Sequence, residues 1–216
     1  MIILRNIPLF TTDNGIASIT LEEIPYRKEA YIVIQSCCSL NALLVECVQL
    51  AKAAGAERIY ATGHLDLRRY TLHTEIWEME RDNDLIPAAG LHLEPVREDT
   101  LDRWTEIYNR AMDGVPNAAT MTMQKKKSVL EEQNGYFVYK NSSCVGIGKA
   151  KIDRVEAIVS LEKGAGADVL SALAGSLTGD KICVEVASKN ERAVHFYLKN
   201  GFKKAKVVSQ WYIVDV

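Results

Sequence analysis

The sequence has no C-x-x-C pair, no excess of charge of either sign, and no apolar run long enough to cross a bilayer. Each absence removes a class of protein. Cys37, Cys38, Cys47, Cys144 and Cys183 are an odd number with no paired spacing, so neither a disulfide framework nor a zinc site is indicated, no metal is expected, and the five read as core thiols. Lys plus Arg number 26 against 28 Asp plus Glu, a formal net charge of -2, and no global positive field points to nucleic acid or an anionic membrane. The longest charge-free stretch, Ala30 to Val45, is interrupted by Gln35, Ser36, Ser39 and Asn41 and is too short to span. Met1 to Phe10 is apolar-rich but carries Arg5 and Pro8, and no signal-peptide core follows. The expectation is a cytoplasmic protein whose partner is a small molecule or another protein.

What remains is an ordinary globular composition, 48% hydrophobic and 25% charged over 216 residues, enough for one large core or two small domains. Between Leu40 and Ala54 the apolar residues recur at helical spacing, with Ser39 as N-cap and Gly55 as stop. The β-branched run Tyr31–Ile34 precedes this helix, and Glu57–Thr62 reads as a second strand after it. The same strand-helix-strand unit recurs as Val155–Val159, Ala167–Leu177 and Lys181–Val186. A slide of about 123 positions places Cys47, Leu50, Ala51 and Ala54 on Leu170, Leu173, Ala174 and Leu177, a weak internal repeat.

Each half closes with a Trp-containing strand, Thr74–Met79 and Val207–Val214, and the first half reaches its Trp so soon that its last helix must be shortened or lost. Pro87-Ala88-Ala89-Gly90 is the best boundary, giving halves 1–88 and 91–216. In the second, Leu91–Val96 reads as a strand, Thr100–Met112 and Lys125–Glu132 as helices, and Gly135–Lys140 with Cys144–Ala150 as a hairpin. The expected fold class is mixed α+β.

The stretch 190-NERAVHFYLKNGF-202 has the marks of a short helix with defined ends: Ser188 and Glu191 at capping-box spacing, Asn190 as a further capping residue, and Gly201 where a left-handed C-cap belongs. Together with the preceding strand, 182-ICVEVASKNERAVHFYLKNGF-202 resembles the last strand and helix of the GNAT superfamily of acetyl-CoA-dependent N-acetyltransferases, through Val186, Asn190, Ala193, Tyr197, Gly201 and Phe202. The element order across Leu91–Val216 is similar too, and the segment looks most like N-terminal acetyltransferases of the ribosomal-protein type. The resemblance implies a central mixed, mostly antiparallel sheet flanked by helices, in tandem with a partial N-terminal copy. Where the family's pyrophosphate loop is Q/R-x-x-G-x-G/A, 161-LEKGAGADVL-170 supplies Gly164 and Gly166, with Leu161 in place of Gln or Arg. The equivalent 36-SCCSLNALLV-45 has no glycine, so the first half looks like a copy unable to bind CoA.

Backbone N–H groups at a glycine-rich strand-to-helix turn, with the helix dipole behind them, suit a pyrophosphate, although a tight turn without a ligand accounts for the same glycines. The resemblance assigns acetyl-CoA as cosubstrate, held by Gly164, Gly166 and Ala167 at its phosphates, by Val159, Ser160 and Leu161 through backbone groups, and by Asn190 and Ala193 at the pantetheine arm. Tyr197, an ordinary core tyrosine on composition alone, would donate a proton to the departing thiolate. Glu185 alternates away from Ile182, Val184 and Val186; a carboxylate there is either a base for the incoming amine or half of a salt bridge, with Glu156 in reserve. His195 and Lys125-Lys126-Lys127 read as solvated surface. Two functions follow, an N-acetyltransferase acting on a peptide or small-molecule amine, or a non-catalytic module of the same fold for CoA binding or protein contact.

Overall fold

The computed structural model describes residues 9–214, so the reading of the apolar start lies, as far as Pro8, outside the described residues. The chain forms two compact units. One runs to Ile76 and takes in the chain again from Val207 onward; the other is Trp77–Lys206. Pro87–Gly90, the boundary expected from composition, therefore falls inside the second unit, and the final strand packs with the first. The two Trp-containing strands read alike, and only the core they enter separates them.

In the first unit, β1 (Leu9–Thr12), β2 (Gly15–Thr20), a one-turn helix α1 (Ile24–Arg27) and β3 (Glu29–Cys37) lead to α2 (Leu40–Ala53), β4 (Arg58–Thr62), a 3-10 segment Leu65–Arg69 and the start of β5 (Leu72–Asp82). The strand order is β1-β2-β3-β4, continued by the end of β11 (Lys203–Ile213). The α2 stripe Leu40, Leu43, Leu44, Cys47, Val48 and Ala51 is buried against Ala30, Ile32 and Ile34 of β3 and Ile59 and Ala61 of β4. That is the expected face, and Gly55 at φ +97° stops the chain from continuing as helix. Tyr212 and Val214 complete the same core.

The second unit adds β6 (Leu91–Pro95), α3 (Leu101–Met112), α4 (Met123–Glu132), β7 (Gly135–Lys140), β8 (Ser143–Lys151), β9 (Arg154–Ser160), α5 (Gly166–Ala174), β10 (Lys181–Ala187) and α6 (Glu191–Lys199). Its strands lie in the order β5-β10-β9-β8-β7-β6; β6 through β9 pair antiparallel and β9 with β10 parallel. This is the mixed α+β architecture expected. Helix α5 ends at Ala174, a turn before Leu177, and presses close to β8 because a glycine faces it. A Cβ at Gly146 would fall 2.4 Å from Val169 and 2.5 Å from the Val159 carbonyl. On the other sheet face, Trp104 of α3 is fully buried and its indole N–H donates to the Tyr136 carbonyl at 3.1 Å.

Removal of the chain after Lys206 takes two buried side chains and the β4 partner strand out of the first unit. In hydrogen exchange, β3 and β4 are expected to lose slow amides while α5 keeps its own. Unchanged protection of β3 would contradict the assignment of the last strand to that core.

Candidate functional site

Parallel strands β9 and β10 share a single register pair, Arg154 with Cys183, where the Cys183 N–H donates to the Asp153 carbonyl at 2.8 Å. Beyond it the strands part. On its far side β9 stays paired with β8 from Arg154 through Ser160, so β9 is held while its inner edge is released. The Leu161 N–H donates to the Val145 carbonyl at 2.9 Å, which points Leu161 and, by alternation, Val159 toward β8. Ile158 and Ser160 then turn their N–H and C=O groups to the open edge. The same alternation from Cys183 turns Glu185 and Ala187 toward it from β10. Of the β9 residues expected to hold a ligand by backbone groups, Ser160 turns its N–H and C=O to the open edge, as Ile158 does, whereas those of Val159 and Leu161 are committed to β8. No local pattern marked Ile158, because edge parity depends on the partner strand.

The loop from β9 into α5 closes this opening at one end. Ser160 Oγ donates to the Glu162 carbonyl at 2.6 Å and the Ala165 N–H to the same oxygen at 3.2 Å, forming a tight turn. Gly164 sits at φ +91° with no atom within 4 Å of where a Cβ would be, so the left-handed turn needs glycine and the space beside it is open. Among the described residues, the N–H groups of Gly164, Gly166 and Ala167 meet no protein acceptor. They stand at the positive end of the α5 dipole. Asp168 in the first turn is neutralised by Lys140 at 2.7 Å. These residues suit a diphosphate, although Leu161, 41% exposed, offers none of the side-chain donors found in the motif it resembles.

Helix α6 forms the adjoining wall. Its start is capped by Asn190, whose Oδ1 accepts from the Ala193 N–H at 3.2 Å, so Asn190 rather than Ser188 is the N-cap. A Cβ at Gly166 would meet the Phe196 ring at 3.0 Å, so α6 lies directly against the start of α5. Asn190, Ala193 and Tyr197 share one helix face. Tyr197 is buried among Val184, Val186, Val169 and Leu173, its ring flanked by Phe196 and Phe202, and burial pushes its phenol up to about 12.

Glu185 lies on the opposite face of β10, half exposed, and its Oε1 accepts from Arg154 at 2.9 Å. The salt-bridge reading of this carboxylate is thus realised in the geometry. Arg154 also reaches Glu78 at 2.8 Å, and Glu78 holds Lys206 at 3.0 Å. Hydrogen bonds from Arg154 and then Lys206 hold the Glu78 carboxyl below the usual carboxylate range. Glu156 is paired with Lys149 at 2.5 Å. No cluster of metal-ligating side chains occurs among the described residues.

The first unit repeats the strand-helix-strand path without the opening. There β3 and β4 pair at five successive positions, Glu29 with Arg58 through Val33 with Thr62. The N–H groups of Cys38 and Ser39, ahead of α2, both donate to the Asn14 carbonyl at 2.9 and 3.3 Å. These N–H groups are therefore already satisfied within the first unit.

No family model and no curated protein matches the sequence. Solved structures do match in fold. A functionally unknown conserved protein from Staphylococcus epidermidis aligns over 98% of this chain and 94% of its own, with 12% identity and a TM-score of 0.62. A GCN5-related N-acetyltransferase from Sphaerobacter thermophilus aligns over 92% and 75% at 12% identity and 0.54. A tandem GNAT protein from the clavulanic acid biosynthesis pathway aligns over 94% and 80% at 11% identity and 0.53. The chain has the GNAT fold.

A phenol near 10 when unfolded and about 12 when folded leaves the unfolded state as the one that ionises between those values. Stability is therefore expected to fall as pH rises from about 10 to 12, by on the order of 2 kcal/mol from this group. Tyr197→Phe should lack that part of the loss in urea titrations at pH 9 and 11. Identical pH dependence of the two proteins would contradict the burial of the hydroxyl.

Proposed function

We propose that the second unit is an N-acyltransferase domain that takes acetyl-CoA as donor and a primary amine as acceptor. The observation that carries this reading is the parting of β9 and β10 after one register pair. It leaves two polar strand edges to receive an extended amide-bearing chain, as in strand addition. In this reading Ile158 and Ser160 pair with the pantetheine amides, Gly164, Gly166 and Ala167 face the diphosphate, and Asn190 and Ala193 line the arm.

The amine nitrogen bonds to the thioester carbonyl carbon, the C–S bond breaks, its electron pair leaves on sulfur, and the nitrogen gives up a proton. Glu185 and Tyr197 lie on opposite faces of β10, a disposition that suits an acceptor arriving from one face and a thiol departing on the other. Glu185 has one oxygen on Arg154 and a second with which to take the amine proton, directly or through water. Tyr197 acts on the leaving group. Full proton transfer from a phenol at about 12 to a thiolate of ordinary basicity, near 8.5, is uphill by about 5 kcal/mol, so the phenol stabilises the anion as a charge-assisted hydrogen-bond donor and keeps its proton.

The first unit, zipped at β3 and β4 and stoppered by Asn14, takes no part in donor binding in this account. A second reading, donor binding without turnover, draws support from the engagement of Glu185 by Arg154. The peptide-acetyltransferase likeness of the segment around Tyr197 makes peptide N-termini the first acceptors to screen, followed by small amines.

Calorimetric titration with acetyl-CoA, followed by thiol-release assays over peptide and small-molecule amines, separates the readings. Saturable binding at one site with turnover is expected. Tyr197→Phe should lower kcat by about 100-fold with the donor KM changed less than about twofold, the pattern of a group used only in the transition state. Binding with no turnover on any amine favours the second reading, and no binding at millimolar donor overturns both.

A further inference from the structure

Arg154 occupies the vertex at which β9 and β10 part. Its backbone is half of their one register pair, and its guanidinium lies between two carboxylates on the neighbouring strands, Glu185 of β10 at 2.9 Å and Glu78 of β5 at 2.8 Å. Since β5, β10 and β9 are successive strands, the fork ties three strands together across one sheet face. Lys206 on the other Glu78 oxygen brings the network to two cations and two anions. A planar guanidinium with donors on separate nitrogens can hold two carboxylates at once; an ammonium has no such fixed fork. The Glu78 side chain is partly shielded, 13% exposed, and holds two cations at once, which distinguishes this arm from a lone surface pair.

We infer that Arg154 is a positioning residue that clasps β9 to β10 and β5 at the base of the opening and so fixes the separation of the strand edges where the donor's pantetheine arm is held. The inference rests on the acyltransferase reading above for the identity of the ligand. The clasp itself rests only on strand geometry. Ladder pairing on the β9 side of β10 ends at Cys183, so the ion-pair network beside it is what keeps the opening from propagating through the vertex. Glu185, on the same fork, is held in one orientation on its face of β10.

Arg154→Met removes both arms, Arg154→Lys restores a cation able to serve one carboxylate well, and Glu185→Gln weakens only the β10 arm. Amide exchange at Cys183 reports the vertex directly, and calorimetry with acetyl-CoA reports the separation of the edges. Arg154→Met is expected to accelerate exchange at Cys183, leave β6 and β7 unchanged, and raise the acetyl-CoA Kd about tenfold or more, with Arg154→Lys recovering part of both losses. Should Arg154→Met fail to fold, Glu185→Gln carries the test, with faster exchange at Cys183 expected in an otherwise intact protein. Wild-type exchange at Cys183 in Arg154→Met, or in Glu185→Gln where that is the variant measured, overturns the clasp. Faster exchange with unchanged donor affinity overturns its role in positioning. If the wild-type protein binds no acetyl-CoA, the acyltransferase reading fails, and the exchange at Cys183 still decides the clasp.

Discussion

A strand edge inside a sheet carries N–H and C=O groups that must be paired, and the second unit is organised around an edge that is not. One register pair joins β9 to β10, after which the two edges separate. This costs free energy unless another chain or solvent supplies the missing partners. The surroundings keep the edge open. Strand β8 pairs with β9 from Arg154 to Ser160 with one register shift at Glu156, Gly146 lets α5 sit down against the sheet, and Phe196 holds α6 against the start of α5. A frame fixed on its outer sides leaves its inner edge available without collapsing.

The first unit shows what the same path looks like when the constraint is absent. Its parallel pair is zipped over five positions, and the N–H groups before its helix are already satisfied. The strand-helix-strand path thus carries an opening in one unit and a closed parallel pair in the other. Function follows the site rather than the fold.

Legibility in the sequence followed the range of the interactions. The α2 stripe, Asn190 as a capping residue, Gly55 as a stop and Gly201 as a left-handed C-cap are local features, and all stand where spacing placed them. The opening could not be read, because Val155–Val159 and Lys181–Val186 have the same apolar pattern whether or not they pair. For the same reason no local pattern marks Ile158, or shows that the backbone groups of Val159 and Leu161 face β8. On sequence alone Glu185 stands between base and salt bridge, because Arg154, 31 residues away, meets it only in the folded sheet. The final strand carries no signal for its destination, since Tyr212 and Val214 would suit either core.

Binding of an acyl-CoA between the parted edges of β9 and β10 is read out by residue-resolved amide exchange with and without acetyl-CoA. Slower exchange is expected at Ile158, Ser160, Glu185 and Ala187 and at Gly164 to Ala167, with β3, β4 and the turn before α2 unaffected. No change at these amides under saturating donor, or protection confined to the first unit, would contradict it.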